Sequence, residues 1–114
     1  MSGSKHPAQY MVKNHTLYIR PAGDLDHHNV EQIRTRADNL MTECEVNHLV
    51  FDFEEVDFMD SAGIGLIMGR YRKIMRGGGK MKAVCVRPVV MRILKYSGLY
   101  QIMDITGIDG GVEI

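Results

Sequence analysis

The segment His48-Leu-Val-Phe-Asp-Phe-Glu-Glu-Val-Asp-Phe-Met-Asp-Ser-Ala-Gly-Ile-Gly65 decides the fold. Its first six residues, His48 to Phe53, form a compact β-prone run of the kind found in a strand buried on both faces. An acidic loop, Glu54 to Asp60, separates it from a helical pattern in which Ile64, Ile67, Met68, Tyr71, Ile74 and Met75 share one side. Gly77-Gly78-Gly79 stops that helix, and Met81 to Val86 reads as the next buried strand. A strand, a crossover helix and a second apolar strand make a parallel pair.

Working outward, the same alternation continues in both directions. Gln9 to Lys13 and Thr16 to Arg20 are strand-like and joined at Asn14-His15, a turn-forming pair, so the chain opens with a β-hairpin that Pro21-Ala22-Gly23 ends. From Asn29, a plausible N-cap, a stripe of Val30, Ile33, Ala37, Leu40 and Met41 predicts the first helix. Pro88 suits the first turn of a third helix, made amphipathic by Val89, Val90, Ile93, Leu94 and Tyr96 and ended by Gly98. Ile102 to Ile105 is a last short strand. The order β-β-α-β-α-β-α-β defines an α/β fold with a mixed sheet whose parallel central strands are covered by helices.

The 114 residues suit one domain, expected over residues 8–114, with residues 1–7 a flexible leader; Met1-Ser-Gly-Ser4 is set aside as a cloning remnant. Net charge is zero, but residues 1–60 carry −6 and residues 61–114 carry +6. The positive half could be a nucleic-acid patch. Its charges (Arg70, Arg72, Lys73, Arg76, Lys80, Lys82, Arg87, Arg92, Lys95) fall mostly on the outer faces of two helices with few aromatics between them, which favours a solvated face. Cys44 and Cys85 are single and widely spaced, giving no support to a disulfide or zinc site. No apolar run approaches the ~20 residues a bilayer requires, so a cytoplasmic, soluble protein is expected. The nine methionines fall largely on predicted core faces.

Ser61 stands where the acidic loop hands over to the helix, at the N-cap or in the first turn, near the positive end of the helix dipole. On a purely structural reading Ser61 caps the helix, Gly63 and Gly65 permit close packing on the sheet, and Asp60 complements the dipole. Enzyme motifs fail in detail. A nucleophile elbow needs glycine where Met59 stands, a dinucleotide fingerprint needs glycine in place of Met68, and Gly79-Lys80 lacks both partners of a P-loop. No catalytic residue and no cofactor is expected. Gly23-Asp24-Leu25-Asp26-His27-His28 is the other polar concentration. Two histidines and two carboxylates could hold a divalent metal, but adjacent histidines rarely converge on one ion, and a capping or partner-contact loop is the preferred reading.

These two segments, with Gly69-Arg-Tyr-Arg72 and Tyr96-Ser-Gly-Leu99, resemble the STAS domain family, and within it the sporulation anti-sigma-F-factor antagonists, from about Thr16 to about Asp104. The resemblance implies an α/β sandwich and a non-enzymatic regulator. In that family an anti-sigma factor that is also a serine kinase phosphorylates the serine matched here by Ser61. Unphosphorylated, such a protein binds the nucleotide-bound kinase and displaces the sigma factor; phosphorylated, it lets go until a serine phosphatase resets it. Asp26 matches a loop position implicated in kinase contact, and Asp60 and Ile64 flank the acceptor. No nucleic acid or membrane partner is implied. A general stress or stressosome regulator, and a nucleotide- or small-ligand-binding domain, are the alternatives. Two departures stand out: Ala62 replaces a second serine, and Asp109-Gly-Gly-Val-Glu-Ile114 is short for the family's closing helix.

Overall fold

A computed structural model describes residues 6–107. The residues quoted for the C-terminal departure, and residues 1–5 of the expected leader, lie outside that range. Five strands, β1 (Ala8–Lys13), β2 (Thr16–Pro21), β3 (His48–Asp52), β4 (Met81–Val86) and β5 (Asp104–Gly107), form one sheet in the order β1-β2-β3-β4-β5. The first pair is antiparallel and the other three are parallel. The hairpin turns at Asn14 and His15, both with positive φ (54° and 60°), the backbone a two-residue loop needs to match strand twist.

Three helices, α1 (Val30–Glu43), α2 (Ser61–Arg76) and α3 (Pro88–Ser97), connect the parallel strands at the predicted places. Register explains the core. Leu17 pairs with Leu49 and Leu49 with Met81, while Ile19, Phe51, Ala83 and Ile105 form the next row across the sheet. All seven are buried with Ile33, Ala37, Leu66, Ile67, Ile74, Val90 and Leu94 of the helices in one cluster.

The expectation that β3 is buried on both faces holds at its middle, where the successive residues Leu49, Val50 and Phe51 are all buried, and fails at its ends. His48 is exposed and Asp52 half-buried, and Val50 is buried without belonging to the helix-side cluster. Tyr18, Val50 and Lys82 line a cleft with Met11, Arg20 and Val84, on the face of the sheet opposite the main core cluster. Burial along β3 therefore does not alternate; only its terminal residues His48 and Asp52 escape it.

Other expectations shift by a residue or a face. The last strand begins at Asp104 rather than Ile102, because a 3-10 turn, Leu99–Gln101, intervenes and Ile102 terminates it. In α3 the core stripe is Val90, Met91 and Leu94; Val89 and Tyr96, one heptad apart, lie on the outer face, Tyr96 being 90% exposed. In α2, Leu66 is buried and Met75 is exposed. Arg70 is not part of a solvated face at all. It is 4% exposed, with its Nε 3.0 Å from Asp38 Oδ1 of α1, and Lys73 Nζ is 3.8 Å from the other Asp38 oxygen. Burial lowers the Arg70 pKa and the Asp38 charge opposes that shift.

Gly79 has a specific reason to be glycine: a Cβ there would sit 1.5 Å from the Asn47 carbonyl oxygen. That close approach lets the chain leave α2 and enter β4 beside the start of β3.

Candidate functional site at the start of the second helix

The two polar segments singled out in the sequence meet at one end of the sheet. Leu25 and Met59 form an isolated parallel bridge, in which Leu25 N donates to Phe58 O (3.2 Å) and Asp60 N donates to Leu25 O (3.1 Å). Both side chains are buried, so the two loops share an apolar root. Asp24 braces the outside, its Oδ1 accepting from the backbone N–H groups of Asp57 and Phe58, each at 3.1 Å.

Gly63 seals the joint. A Cβ on it would lie 3.0 Å from Leu25 Cβ, Leu25 O and Met59 Cβ. Gly65, expected to pack on the sheet, is instead exposed with nothing nearby, since it lies on the outer side of α2.

Ser61 is exposed and is the first helical residue, not the cap. The cap is Asp60, with extended backbone (φ −98°, ψ −170°) and Oδ1 accepting from Ala62 N at 2.8 Å and Gly63 N at 3.3 Å. Asp60 thus satisfies two of the orphan donors of the first turn, and the Ser61 hydroxyl is free of that task. Asp60 Oδ2 accepts from His27 N at 3.3 Å and meets His27 Nδ1 at 3.4 Å. Partial desolvation pushes the Asp60 carboxyl up, but the hydrogen bonds from the His27 ring and from the Ala62, Gly63 and His27 amides together outweigh it, and its pKa is lowered.

Asn29 does not cap α1 through its side chain. Its Oδ1 accepts from Asp26 N (3.1 Å) and its Nδ2 donates to Asp24 O (2.6 Å), so it shapes the loop instead. Asp26 Oδ1 accepts from His28 N at 2.9 Å and lies 3.5 Å from the His28 ring. The centroids of the two histidine rings lie 4.0 Å apart, with the rings tilted by 37°. Each histidine faces a carboxylate of its own rather than a shared point, a poor arrangement for one metal ion. Ile64 is half-buried one turn beyond Asp60, its N–H on Asp60 O. Phe58, 50% exposed between the acidic residues, adds an apolar surface that the sequence pattern did not single out.

A separate cluster, Asp52, Glu54 and Cys85, places one ligand atom of each within 4.8 Å of the others. Arg20 already supplies positive charge there, at 4.0 Å from Asp52, 2.6 Å from Glu54 and 3.4 Å from Glu55. Burial, and then the charges of Asp52 and Glu54, push the Cys85 thiol up, which disfavours the thiolate a metal would need.

Residues 8–109 match the sequence profile of the STAS domain. The chain belongs to the STAS domain family. This STAS domain is 40% identical over 89 residues to an anti-sigma F factor antagonist of Paenibacillus polymyxa, an alignment covering 78% of this chain and 76% of that protein. Its fold matches the anti-sigma factor antagonist SpoIIAA in the unphosphorylated form (34% identity, 78% of this chain and 82% of that one, TM-score 0.68). It also matches the phosphorylated form of the Bacillus cell fate determinant SpoIIAA (35% identity, 86% and 89% coverage, TM-score 0.70). No helix among the described residues is long and apolar enough to cross a membrane.

Proposed function

We propose that this STAS domain is an anti-sigma-factor antagonist of the sporulation type, a binding protein and not an enzyme. Unphosphorylated, it binds an anti-sigma factor that is also a serine kinase, in that partner's nucleotide-bound state, and frees the sigma factor. Phosphorylation of Ser61 switches binding off, and a serine phosphatase restores it. Asp26, Asp60, Ser61 and Ile64 form the contact surface.

The observation that carries this reading is the division of labour between Asp60 and Ser61. Because Asp60 holds the N–H groups of Ala62 and Gly63, the exposed Ser61 hydroxyl can be modified without dismantling the helix start. A phosphate there adds about −1.5 to −2 charges near the favourable end of the helix dipole, so the fold tolerates it. An interface does not. The phosphate must be desolvated beside the Asp60 carboxylate, a cost of several kcal/mol, and each ~1.4 kcal/mol is tenfold in affinity.

Relatives named anti-sigma F factor antagonist, at 36% and 40% identity, support the sporulation assignment, as does a shared fold with both phosphorylation states of SpoIIAA. The test is co-elution with the sporulation anti-sigma factor in the presence of ADP. A stable complex that excludes the sigma factor is expected; no complex with ADP or ATP present would contradict the proposal.

A further inference from the structure

His27 enters the sequence only as half of a histidine pair, yet it is the residue that ties the first loop to the helix cap. Both of its donors reach one atom: backbone N at 3.3 Å and ring Nδ1 at 3.4 Å from Asp60 Oδ2. The other oxygen, Oδ1, is engaged by Ala62 and Gly63. The carboxylate is therefore fixed at both ends, and the residue it fixes next is Ser61, bonded to it through one peptide unit.

For Nδ1 to donate to a carboxylate it must carry the proton, which sets the ring's orientation and leaves Nε2 facing away. The side chain is 72% exposed and its ring lies against the tilted ring of His28, whose own Nδ1 is 3.5 Å from Asp26, so the pair stands beside the cap rather than as part of the core. A side chain so exposed contributes little to packing. Its polar contacts fall on Asp60 alone.

We propose that His27 is a positioning residue for phosphoryl transfer to Ser61, an inference that rests on the function proposed above. By pinning Asp60 Oδ2, His27 removes the carboxylate's freedom to turn about its side-chain bonds, and so holds the first turn of α2 and the Ser61 hydroxyl in one orientation toward an incoming phosphoryl donor. Transfer forms the Ser61 Oγ–P bond and breaks the bond to the ADP leaving group, and the hydroxyl proton goes to a base on the kinase. His27 takes no part in that exchange. Misplacement of a nucleophile by about 1 Å costs up to 10²-fold in rate, so loss of one of two anchors is expected to cost about tenfold.

The experiment measures kcat and KM for phosphorylation of the wild-type chain, His27→Ala and His27→Asn by the anti-sigma factor kinase with ATP, with amide hydrogen exchange at Ala62 and Gly63 in parallel. Asparagine places an amide N–H where histidine has Nδ1. His27→Ala should lower kcat about tenfold, leave KM within about twofold, and speed exchange at both amides, while His27→Asn restores most of each. Unchanged kcat in His27→Ala, a raised KM at constant kcat, or an asparagine variant no better than alanine would overturn the positioning role. Wild-type chain that takes no phosphate at Ser61 would instead overturn the function on which it rests.

Discussion

Asp60 and His27 are 33 residues apart in sequence and share a hydrogen bond at one carboxylate oxygen, while the other oxygen of Asp60 caps α2. The pKa of Asp60 is lowered by these bonds against a desolvation that raises it. A carboxyl whose folded pKa lies below its unfolded value stabilises the fold above the unfolded pKa and loses that contribution as pH falls through the folded one. The stability gap between wild type and Asp60→Asn, measured by urea unfolding, should be widest near neutral pH and close as the pH drops below the ordinary carboxylate range. A gap that widens on acidification would contradict this.

Gly63 couples the helix start to the Leu25–Met59 bridge. The methyl group of Gly63→Ala would press on Leu25 Cβ, Leu25 O and Met59 Cβ, all at 3.0 Å, and one of these is backbone. Overpacking of this kind costs about 1–3 kcal/mol. Thermal unfolding should show the loss. Gly65→Ala, in open space, should be neutral or stabilising.

The ion pair between α1 and α2 predicts an asymmetry. Asp38→Ala leaves the buried Arg70 guanidinium without its carboxylate and should cost about 3 kcal/mol, whereas Arg70→Met leaves Asp38 with Lys73 and partial access to water and should cost much less. Equal losses in chemical denaturation would show that packing, not charge, dominates at Arg70.

These residues also mark what the sequence could and could not convey. The apolar stripes at 30–41, 61–76 and 88–97 located the three helices because burial on one side imposes a 3.6-residue period. The hairpin was legible from Asn14-His15. The open ends of β3 were not, since His48 and Asp52 flank an unbroken apolar run, Leu49 to Phe51, that is buried throughout. Arg70 read as surface because a charge between two helices looks, in sequence, like any other charge. Within the site, the helix-start position of Ser61 and Asp60 could be read from pattern and Asp26 only from the family resemblance, but the contact between His27 and Asp60 depends on tertiary pairing of two loops and has no local signal. Asn29 and Ser61 both satisfy the preference rules for caps; Asn29 takes the N-cap position of α1 with its side chain turned to the loop, while at α2 the neighbouring Asp60 takes the cap.

Asp26→Asn separates charge from structure. Asparagine keeps an oxygen to accept from His28 N and loses only the negative charge. The melting temperature should stay unchanged while affinity for the anti-sigma factor falls about tenfold or more, read by calorimetry with ADP present. Unaltered affinity would remove Asp26 from the contact surface.

Modification at Ser61 is the central claim, and Ser97 is the control, because its Oγ already donates to Leu94 O at the end of α3, where added negative charge opposes the dipole. The direct measurement is intact mass after incubation with the anti-sigma factor kinase and ATP, followed by binding isotherms for the modified and unmodified protein. Wild type should gain one phosphate and lose about a thousandfold in affinity, a difference of ~4 kcal/mol, and Ser61→Ala should gain none and stay bound. Phosphorylation of the Ser61→Ala protein, or equal affinity for both forms of the wild type, would contradict the account.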